Sequence, residues 1–207
     1  MPTLLVIAGL SYLLGSIPFG YLLVRIFRGE DVRQSGSGNI GATNVSRKSP
    51  ALGVMTLLLD ALKGTAAVML SYVVASHAVA GIPACAQLAL GGLFAVIGHM
   101  FPAWLKFRGG KGVATGLGAF VVLAPKAVLI AVAIFIAVVA LFRYVSLGSI
   151  IAVAVFPLTV WLVGQFYPSP AALAVISFSC LLIIVKHYEN IRRLLAGTES
   201  RLGAKRA

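Results

Sequence analysis

Charged residues are scarce in this chain, and acidic residues are the scarcest of them. Of its 207 residues 11% are charged, with five Asp and Glu against 17 Lys and Arg, while hydrophobic residues make up 60%. Because about a quarter of the residues in a soluble domain are charged, this composition excludes an ordinary water-soluble protein. The mean hydropathy of +1.02 agrees. We therefore expect an integral membrane protein.

Cysteine is also rare, with Cys85 and Cys180 as the only two. Their spacing matches no metal or redox motif, so we expect both to be passive, small apolar residues. No cluster of metal-ligating residues is visible along the sequence. The sequence therefore indicates neither a metal site nor a cofactor.

The chain has long apolar runs instead. Several reach roughly the 20 residues that cross a bilayer core of about 30 Å, where the backbone must satisfy its own hydrogen bonds within helices. The run over 113–142 is too long for one ordinary span, and Pro125 favours a break just before it. We predict an all-α membrane protein that forms a single polytopic domain over residues 1–207. Its seven transmembrane helices are expected at 3–24, 51–79, 86–105, 113–124, 127–142, 146–165 and 170–186.

Basic residues predict the orientation. With the N-terminus outside and the C-terminus in the cytoplasm, every Lys and Arg except Lys126 falls on the inner side. Lys and Arg accumulate in the cytoplasmic loops of membrane proteins. The net charge of +12 is therefore explained by topology, and we expect no nucleic acid partner. If 113–142 were one span, every later loop would lie on the opposite side of the membrane, and fewer Lys and Arg residues would fall on the inner side.

The first inner loop, over 35–47, is dense in glycine and short polar side chains. Glycines free the backbone for close approach, and successive N–H groups can form an anion-binding concavity. Arg47 supplies a planar fork that suits phosphate. A flexible polar loop is the alternative interpretation. The candidate binding residues of this loop are Ser37, Asn39, Thr43, Asn44 and Arg47.

A second group of candidates follows the third predicted span. The Gly109–Gly112 turn, of sequence Gly-Gly-Lys-Gly, opens a helix, where free N–H groups and the helix dipole favour an anion. Lys111 adds a positive charge there. The Walker spacing is absent, so ATP is not implied. We predict phosphate or acyl-phosphate binding by Gly109, Gly110, Lys111 and Gly112, and the alternative is a solvated basic loop. His99 lies one helix end away, as a site residue or a hydrogen-bonded strut.

Charges within an apolar run form a third feature. Asp60 and Lys63 are three residues apart and so share one helical face. Charged groups inside a membrane are costly and usually functional or paired. Lys63 is therefore a candidate substrate ligand, and the alternative is that the two side chains simply neutralise each other.

The last two inner turns supply the remaining candidates. Ser146 and Ser149 follow Arg143 and are either site or packing residues. His187 and Asn190 share a helical face where the last span ends, and they can position and polarise a hydroxyl.

Taken together, these blocks resemble the bacterial acyl-phosphate-dependent glycerol-3-phosphate acyltransferases, the PlsY type. The resemblance runs from the first helix to the tail and is specific because all blocks occur in order. The blocks are Gly15–Pro18, Ser37–Asn44, Asp60 with Lys63 and Gly64, Gly98 and His99 with Phe101 and Pro102, Gly109–Thr115, and His187 with Asn190 and Ile191. One departure is Arg201, where the resemblance leads us to expect Lys.

The resemblance implies transfer of an acyl group from acyl phosphate to the 1-hydroxyl of glycerol 3-phosphate. It gives lysophosphatidic acid and phosphate at the cytoplasmic side of the bacterial inner membrane, with membrane lipid around the enzyme. In this scheme Ser37, Arg47 and Lys111 bind phosphate groups, and His187 and Asn190 position the hydroxyl. The usual acyltransferase His-x-x-x-x-Asp box is absent from the sequence. The proton acceptor is then the leaving phosphate or His187.

Two other classes of protein remain possible from the sequence. A transporter for an organic phosphate also uses broken helices whose N-termini face an anion, but it predicts internal repeats and polar residues near the midplane. A lipid-binding scaffold would use a basic surface for anionic lipids. It would need neither the Gly109–Gly112 turn nor the His187–Asn190 pair. Acyl-chain preference and oligomeric state do not follow from the sequence.

Overall fold

The computed structural model describes residues 2–75, 81–164 and 169–203. All regular structure in these ranges is helical, which confirms the prediction of an all-α protein. His77, Lys205 and Arg206, together with the ends of the predicted 51–79 and 146–165 segments, lie outside the described residues.

Ten α-helices follow one another along the described chain. They are α1 Pro2–Gly15, α2 Phe19–Arg28, α3 Ala42–Val45, α4 Pro50–Ala75, α5 Ala84–Met100, α6 Val113–Leu123, α7 Pro125–Phe142, α8 Val145–Leu162, α9 Pro170–Val185 and α10 Tyr188–Leu195. Two short 3-10 turns, Val32–Gln34 and Ala103–Leu105, lie in the connecting loops.

Five helical stretches are long and apolar enough to cross a membrane. They are Pro2–Arg28, Pro50–Ala75, Ala84–Leu105, Pro125–Phe142 and Val145–Leu162. A sixth span is obtained if α9 and α10, which meet at a bend of 54°, are counted together. Helix α6, at 11 residues, is apolar but shorter than the others. The described chain is therefore an integral membrane protein by length and composition.

The first span was predicted as a single helix over 3–24, but the structure has two helices there. Helix α1 ends at Gly15 and α2 begins at Phe19. Pro18 has no N–H and restricts Ile17 to non-helical conformations, so the helical ladder stops there. The carbonyl oxygen of Ile17 instead accepts a hydrogen bond from Nζ of Lys63 at 2.8 Å. A charged side chain of α4 thus satisfies the backbone at the break.

The break expected before Pro125 is confirmed. Helix α6 ends at Leu123 and α7 begins at Pro125, because proline fits the first position of a helix. Helix α6 lies deep in the bundle, and its Gly118 allows the backbone of Ala61 in α4 to approach so closely that a Cβ would collide with it. Small residues promote this kind of helix contact in membranes. The tight packing of α6 against α4 sets the position of the turn that precedes it.

Candidate active site

A cavity of about 1030 Å³ lies where the loops after α2, α5, α7 and α9 meet. Twelve of the fifteen candidate residues line it, and they come from loops and helix ends far apart in sequence. These twelve are Ser37, Asn39, Thr43, Asn44, Arg47, His99, Lys111, Gly112, Ser146, Ser149, His187 and Asn190. The other three, Lys63, Gly109 and Gly110, are not among its lining residues.

Asn44 organises the first loop. Its side-chain nitrogen donates to the carbonyl oxygens of Val32, Ser35 and Asn39 at 3.1, 3.0 and 2.8 Å. Its Oδ1 accepts from the backbone N–H of Ser37 at 2.9 Å. These bonds engage both polar atoms of the buried amide. Asn44 therefore stabilises the conformation of the loop and has no polar side-chain atom left for a ligand.

The exposed side chains of that loop are the ones free to meet a ligand. Asn39 is partly engaged, since its Oδ1 accepts from the N–H of Gly41 at 2.8 Å. Ser37, Thr43 and Arg47 are exposed and line the cavity. Residues with hydroxyl groups and a guanidinium therefore line the cavity from a loop that the hydrogen bonds of Asn44 cross-link.

The Gly109–Gly112 turn is fastened to the end of α5. The N–H of Gly109 donates to the carbonyl of Met100 at 3.1 Å, and that of Gly110 donates to the carbonyl of His99 at 3.0 Å. Gly112 has a φ of +87°, a conformation that favours glycine. This geometry turns the chain into α6, so the N-terminus of α6 faces the cavity through Gly112, Val113 and Ala114.

Lys111 is the partly buried cation of this turn. Burial lowers the pKa of its ammonium from 10.5 to about 8, although the negative charge of Glu199 opposes the shift. In the described part of the chain its ammonium has no hydrogen-bond partner or ion pair. A desolvated cation beside free helix N–H groups is suited to bind an anion.

His187 begins the last segment of the site. Its Nδ1 lies 2.7 Å from the carbonyl oxygen of Ile183, and because a carbonyl only accepts, Nδ1 carries the hydrogen. Burial lowers the pKa of His187 to about 4, so the ring is neutral at pH 7. Its Nε2 is then left as a hydrogen-bond acceptor.

Asn190 also offers an acceptor. Its Nδ2 donates to Oε1 of Glu199 at 2.7 Å, while its buried Oδ1 has no hydrogen-bond partner among the described residues. An unsatisfied buried acceptor is unfavourable. A hydroxyl donor entering the cavity would satisfy it.

Glu199 is the main residue that the sequence did not reveal. Its Oε1 accepts from the hydroxyl of Ser146 at 2.7 Å as well as from Asn190, and its Oε2 accepts from Nε of Arg193 at 2.6 Å. Burial alone would raise the pKa of this carboxyl, but these hydrogen bonds together bring it below its usual range. The sequence signal that could have indicated Glu199 is the rarity of acidic residues, since it is one of only five in a basic chain.

The tail after Glu199 closes one wall of the cavity. The N–H of Leu202 donates to the carbonyl of Arg143 at 2.6 Å, and the guanidinium of Arg143 donates back to the carbonyl of Leu202. Arg201, the residue at which the resemblance predicts Lys, donates a hydrogen bond from Nε to the hydroxyl of Tyr144 at 3.0 Å. Ser149, by contrast, donates to the carbonyl of Val145 in its own helix.

The intramembrane charges meet at the floor of the cavity. Nζ of Lys63 lies 2.6 Å from Oδ1 of Asp60, and Nδ1 of His99 lies 3.5 Å from the same oxygen. Asp60 and His99 line the cavity, whereas Lys63 points to the break between α1 and α2. Across the three described ranges, no group of three His, Cys, Asp or Glu residues is arranged to hold a metal ion.

Fold and cavity together define an α-helical integral membrane protein with a polar, cation-lined cavity at one end of its bundle. The model of the family described as glycerol-3-phosphate acyltransferase matches residues 5–197, and the chain belongs to this family. Two similar relatives, both named glycerol-3-phosphate acyltransferase, come from Trichlorobacter lovleyi and Syntrophotalea carbinolica. The first is 50% identical over 96% of each chain, and the second is 47% identical over 94% of this chain and 95% of the relative.

Two solved structures share the fold. Both are crystal structures of PlsY (YgiH), an integral membrane glycerol 3-phosphate acyltransferase. The glycerol 3-phosphate form has a TM-score of 0.86 at 36% identity and covers 97% of this chain and 96% of that chain. The lysophosphatidic acid form has a TM-score of 0.83 at 35% identity and covers 97% of this chain and 95% of that chain.

Proposed function

We propose that this protein transfers a fatty acyl group from acyl phosphate to the 1-hydroxyl of glycerol 3-phosphate. The products are lysophosphatidic acid and inorganic phosphate. The observation that carries the proposal is the arrangement of Lys111 and Arg47 around one cavity with the acceptor atoms of His187 and Asn190. Cations for phosphate groups and acceptors for a hydroxyl are what the two substrates require.

Phosphate binding is assigned to the cationic half of the cavity. Lys111 and the N-terminus of α6 bind the phosphate of the acyl donor, while Ser37 and Arg47 bind the other phosphate group. Asn39, Thr43 and Gly112 line the same cavity and complete these contacts, in part through their backbone, while Gly109 and Gly110 hold the turn in place through their hydrogen bonds to α5. Fixed positive charge also stabilises the negative charge that develops on the carbonyl oxygen during acyl transfer.

Hydroxyl binding is assigned to the opposite half. The 1-hydroxyl donates to Oδ1 of Asn190 or Nε2 of His187, and this places its oxygen for attack on the carbonyl carbon. Glu199 keeps the amide of Asn190 in the orientation that leaves Oδ1 free. An acyl chain leaves the cavity along the apolar side chains of Leu57, Val113 and Phe135.

The reaction is a direct acyl transfer. The hydroxyl oxygen bonds to the carbonyl carbon, the bond from that carbon to the phosphate oxygen breaks, and phosphate leaves. The low pKa of His187, about 4, makes its imidazole a weak base at neutral pH. Before attack the hydroxyl proton is hydrogen-bonded to Asn190 or His187, which orients the nucleophile. As the new C–O bond forms, this proton moves to the leaving phosphate, which Lys111 stabilises.

A topology with seven spans fits this assignment. The spans are the broken pair α1 and α2, then α4, α5, α6, α7, α8 and α9, within a single domain. The N-terminus then lies outside, and the cavity lies on the cytoplasmic side of the bacterial inner membrane. Support comes from Arg25, Arg28, Arg47, Lys111 and Arg193, which lie in or next to the loops at the cavity end, whereas Lys126 lies in the first turn of α7.

Purified protein in detergent tests the proposal. Palmitoyl phosphate and glycerol 3-phosphate are supplied, and phosphate and lysophosphatidic acid are both quantified. We expect equal amounts of the two products, and losses of at least about 100-fold in kcat/KM in Lys111→Ala and His187→Ala, as is typical when groups acting in the transition state are removed. Lys126→Ala is the matched control and should retain full activity. Near-normal turnover in both site variants would refute the assignment, and glycerol 3-phosphate uptake into vesicles without product would favour a transporter.

A further inference from the structure

We propose that Asp60, Lys63 and His99 form a buried positioning unit that holds the Gly109–Gly112 turn, and with it Lys111, in its place in the cavity. In this view Lys63 acts away from substrate, as a positioning residue. The inference deepens the proposed function, on which it rests for the role of Lys111.

The first half of the unit is the ion pair of Asp60 and Lys63. Both side chains are only 2% exposed, and their charged atoms lie 2.6 Å apart. A charge in the membrane interior is costly unless it is paired, so these side chains hold each other in one geometry. Nζ of Lys63 also donates to the carbonyl of Ile17 at the break between α1 and α2. The pair thereby ties α4 to the first broken span.

The second half is the imidazole of His99. Its Nδ1 faces Oδ1 of Asp60 at 3.5 Å. Its Nε2 faces the backbone of Gly110 so closely that any Cβ at Gly110 would collide with the ring. The N–H of Gly110 donates to the carbonyl of His99 at 3.0 Å. The ring therefore fills the space between the carboxylate of Asp60 and the glycine that precedes Lys111.

These contacts form one continuous path. It runs from Ile17 through Lys63, Asp60 and His99 to Gly110, and the next residue is Lys111. The hydrogen bond from Gly109 to Met100 fastens the other side of the turn. Since a displacement of about 1 Å at a reacting centre can cost roughly 100-fold in rate, loosening this path is enough to impair catalysis without any loss of a substrate contact.

Two kinds of variant separate positioning from folding. Asp60→Asn alone leaves the ammonium of Lys63 without its counter-charge, so the charge-neutral double variant Asp60→Asn with Lys63→Met is used beside it. His99→Ala removes the ring, and His99→Gln restores part of its volume and hydrogen-bonding capacity. Thermal unfolding in detergent reports whether each variant is folded.

The first readout is kinetic coupling to Lys111. We expect His99→Ala and the double variant to lower kcat/KM by about 10- to 100-fold, with partial recovery in His99→Gln. In the Lys111→Ala background the same changes should lower the remaining activity less than about threefold, because residues that act as a unit are not additive. Full additivity with Lys111→Ala, or a rise in the KM for glycerol 3-phosphate alone, would overturn the inference and make His99 a direct substrate ligand.

The second readout does not depend on activity. The rate of reductive methylation of Lys111 is followed by peptide mass spectrometry, with Lys126 as the internal control. Release of the turn should raise the rate at Lys111 several-fold in folded variants and leave Lys126 unchanged. An unchanged rate at Lys111 would refute the positioning role even if the enzyme is active. A raised rate in a protein that makes no lysophosphatidic acid would refute the proposed function alone.

Discussion

The carboxylate of Glu199 lies 2.7 Å from the side-chain nitrogen of Asn190. Because a carboxylate only accepts, this hydrogen bond fixes which way the amide is turned. The amide oxygen of Asn190 is thereby left as a buried acceptor without a partner in the described chain. Two residues nine positions apart thus create an oriented acceptor in the cavity.

Glu199→Gln should weaken the site through this relationship. A neutral amide cannot accept from Ser146, Asn190 and Arg193 as the carboxylate does, and hydrogen bonds to charged groups contribute about 1.5–3 kcal/mol each. We expect kcat/KM to fall by roughly 10- to 100-fold. Glu189→Gln is the matched control, because Glu189 is exposed and should be dispensable. Equal activity in the two variants would contradict the role of Glu199.

Ser146 and Ser149 should differ although they lie three residues apart on α8. Ser146 donates to Glu199, whereas Ser149 donates to the carbonyl of Val145. Ser146→Ala should lower kcat/KM by about 5- to 20-fold, since one hydrogen bond to a charged group is lost. Ser149→Ala should stay within about twofold, because the hydroxyl bonds only its own helix. The steady-state kinetics of both purified variants check this, and the reverse order would be inconsistent with the observed bonds.

The pH profile should report the ammonium of Lys111. Burial lowers the pKa of Lys111 to about 8, so its positive charge is complete below about pH 7 and is lost as the pH rises through 8. If the charged form binds phosphate, log kcat/KM should fall above about pH 8. Lys111→Arg should remove this limb, because guanidinium stays charged throughout the range. If kcat/KM of Lys111→Arg still falls above about pH 8, the fall must be caused by the titration of another group.

Gly110→Ala should disturb the site even though the change is small. A Cβ at Gly110 collides with Nε2 of His99, and inserting a group into a packed interior costs about 1–3 kcal/mol. We expect a lower unfolding temperature together with at least about a tenfold loss of kcat/KM. Gly9→Ala is the control, since a Cβ at Gly9 meets nothing within 4 Å. An unaffected Gly110→Ala enzyme would mean that the ring and the turn separate freely.

Much of the fold follows from local features of the sequence. Apolar runs of membrane length require helices, because an unsatisfied backbone in lipid is costly, and Pro125 separates α6 from α7 as expected. The break between α1 and α2 was harder to predict from the sequence. Pro18 has a local effect that the sequence shows, but the hydrogen bond from Nζ of Lys63, 46 residues later, to the carbonyl of Ile17 depends on tertiary packing.

The sequence by itself determined the membrane class, the helical architecture and the polar loops that reach the cavity, since composition and glycine-rich turns act locally. Only the tertiary structure decided what each polar side chain does. It showed Asn44 engaged with its own loop, Lys63 turned away from the cavity, and Glu199 joined to Ser146, Asn190 and Arg193. The last two roles depend on contacts of α4 with the α1–α2 break and of the tail with α8 and α10. Hydrogen bonds and ion pairs across such separations are selected by packing, which no local pattern encodes.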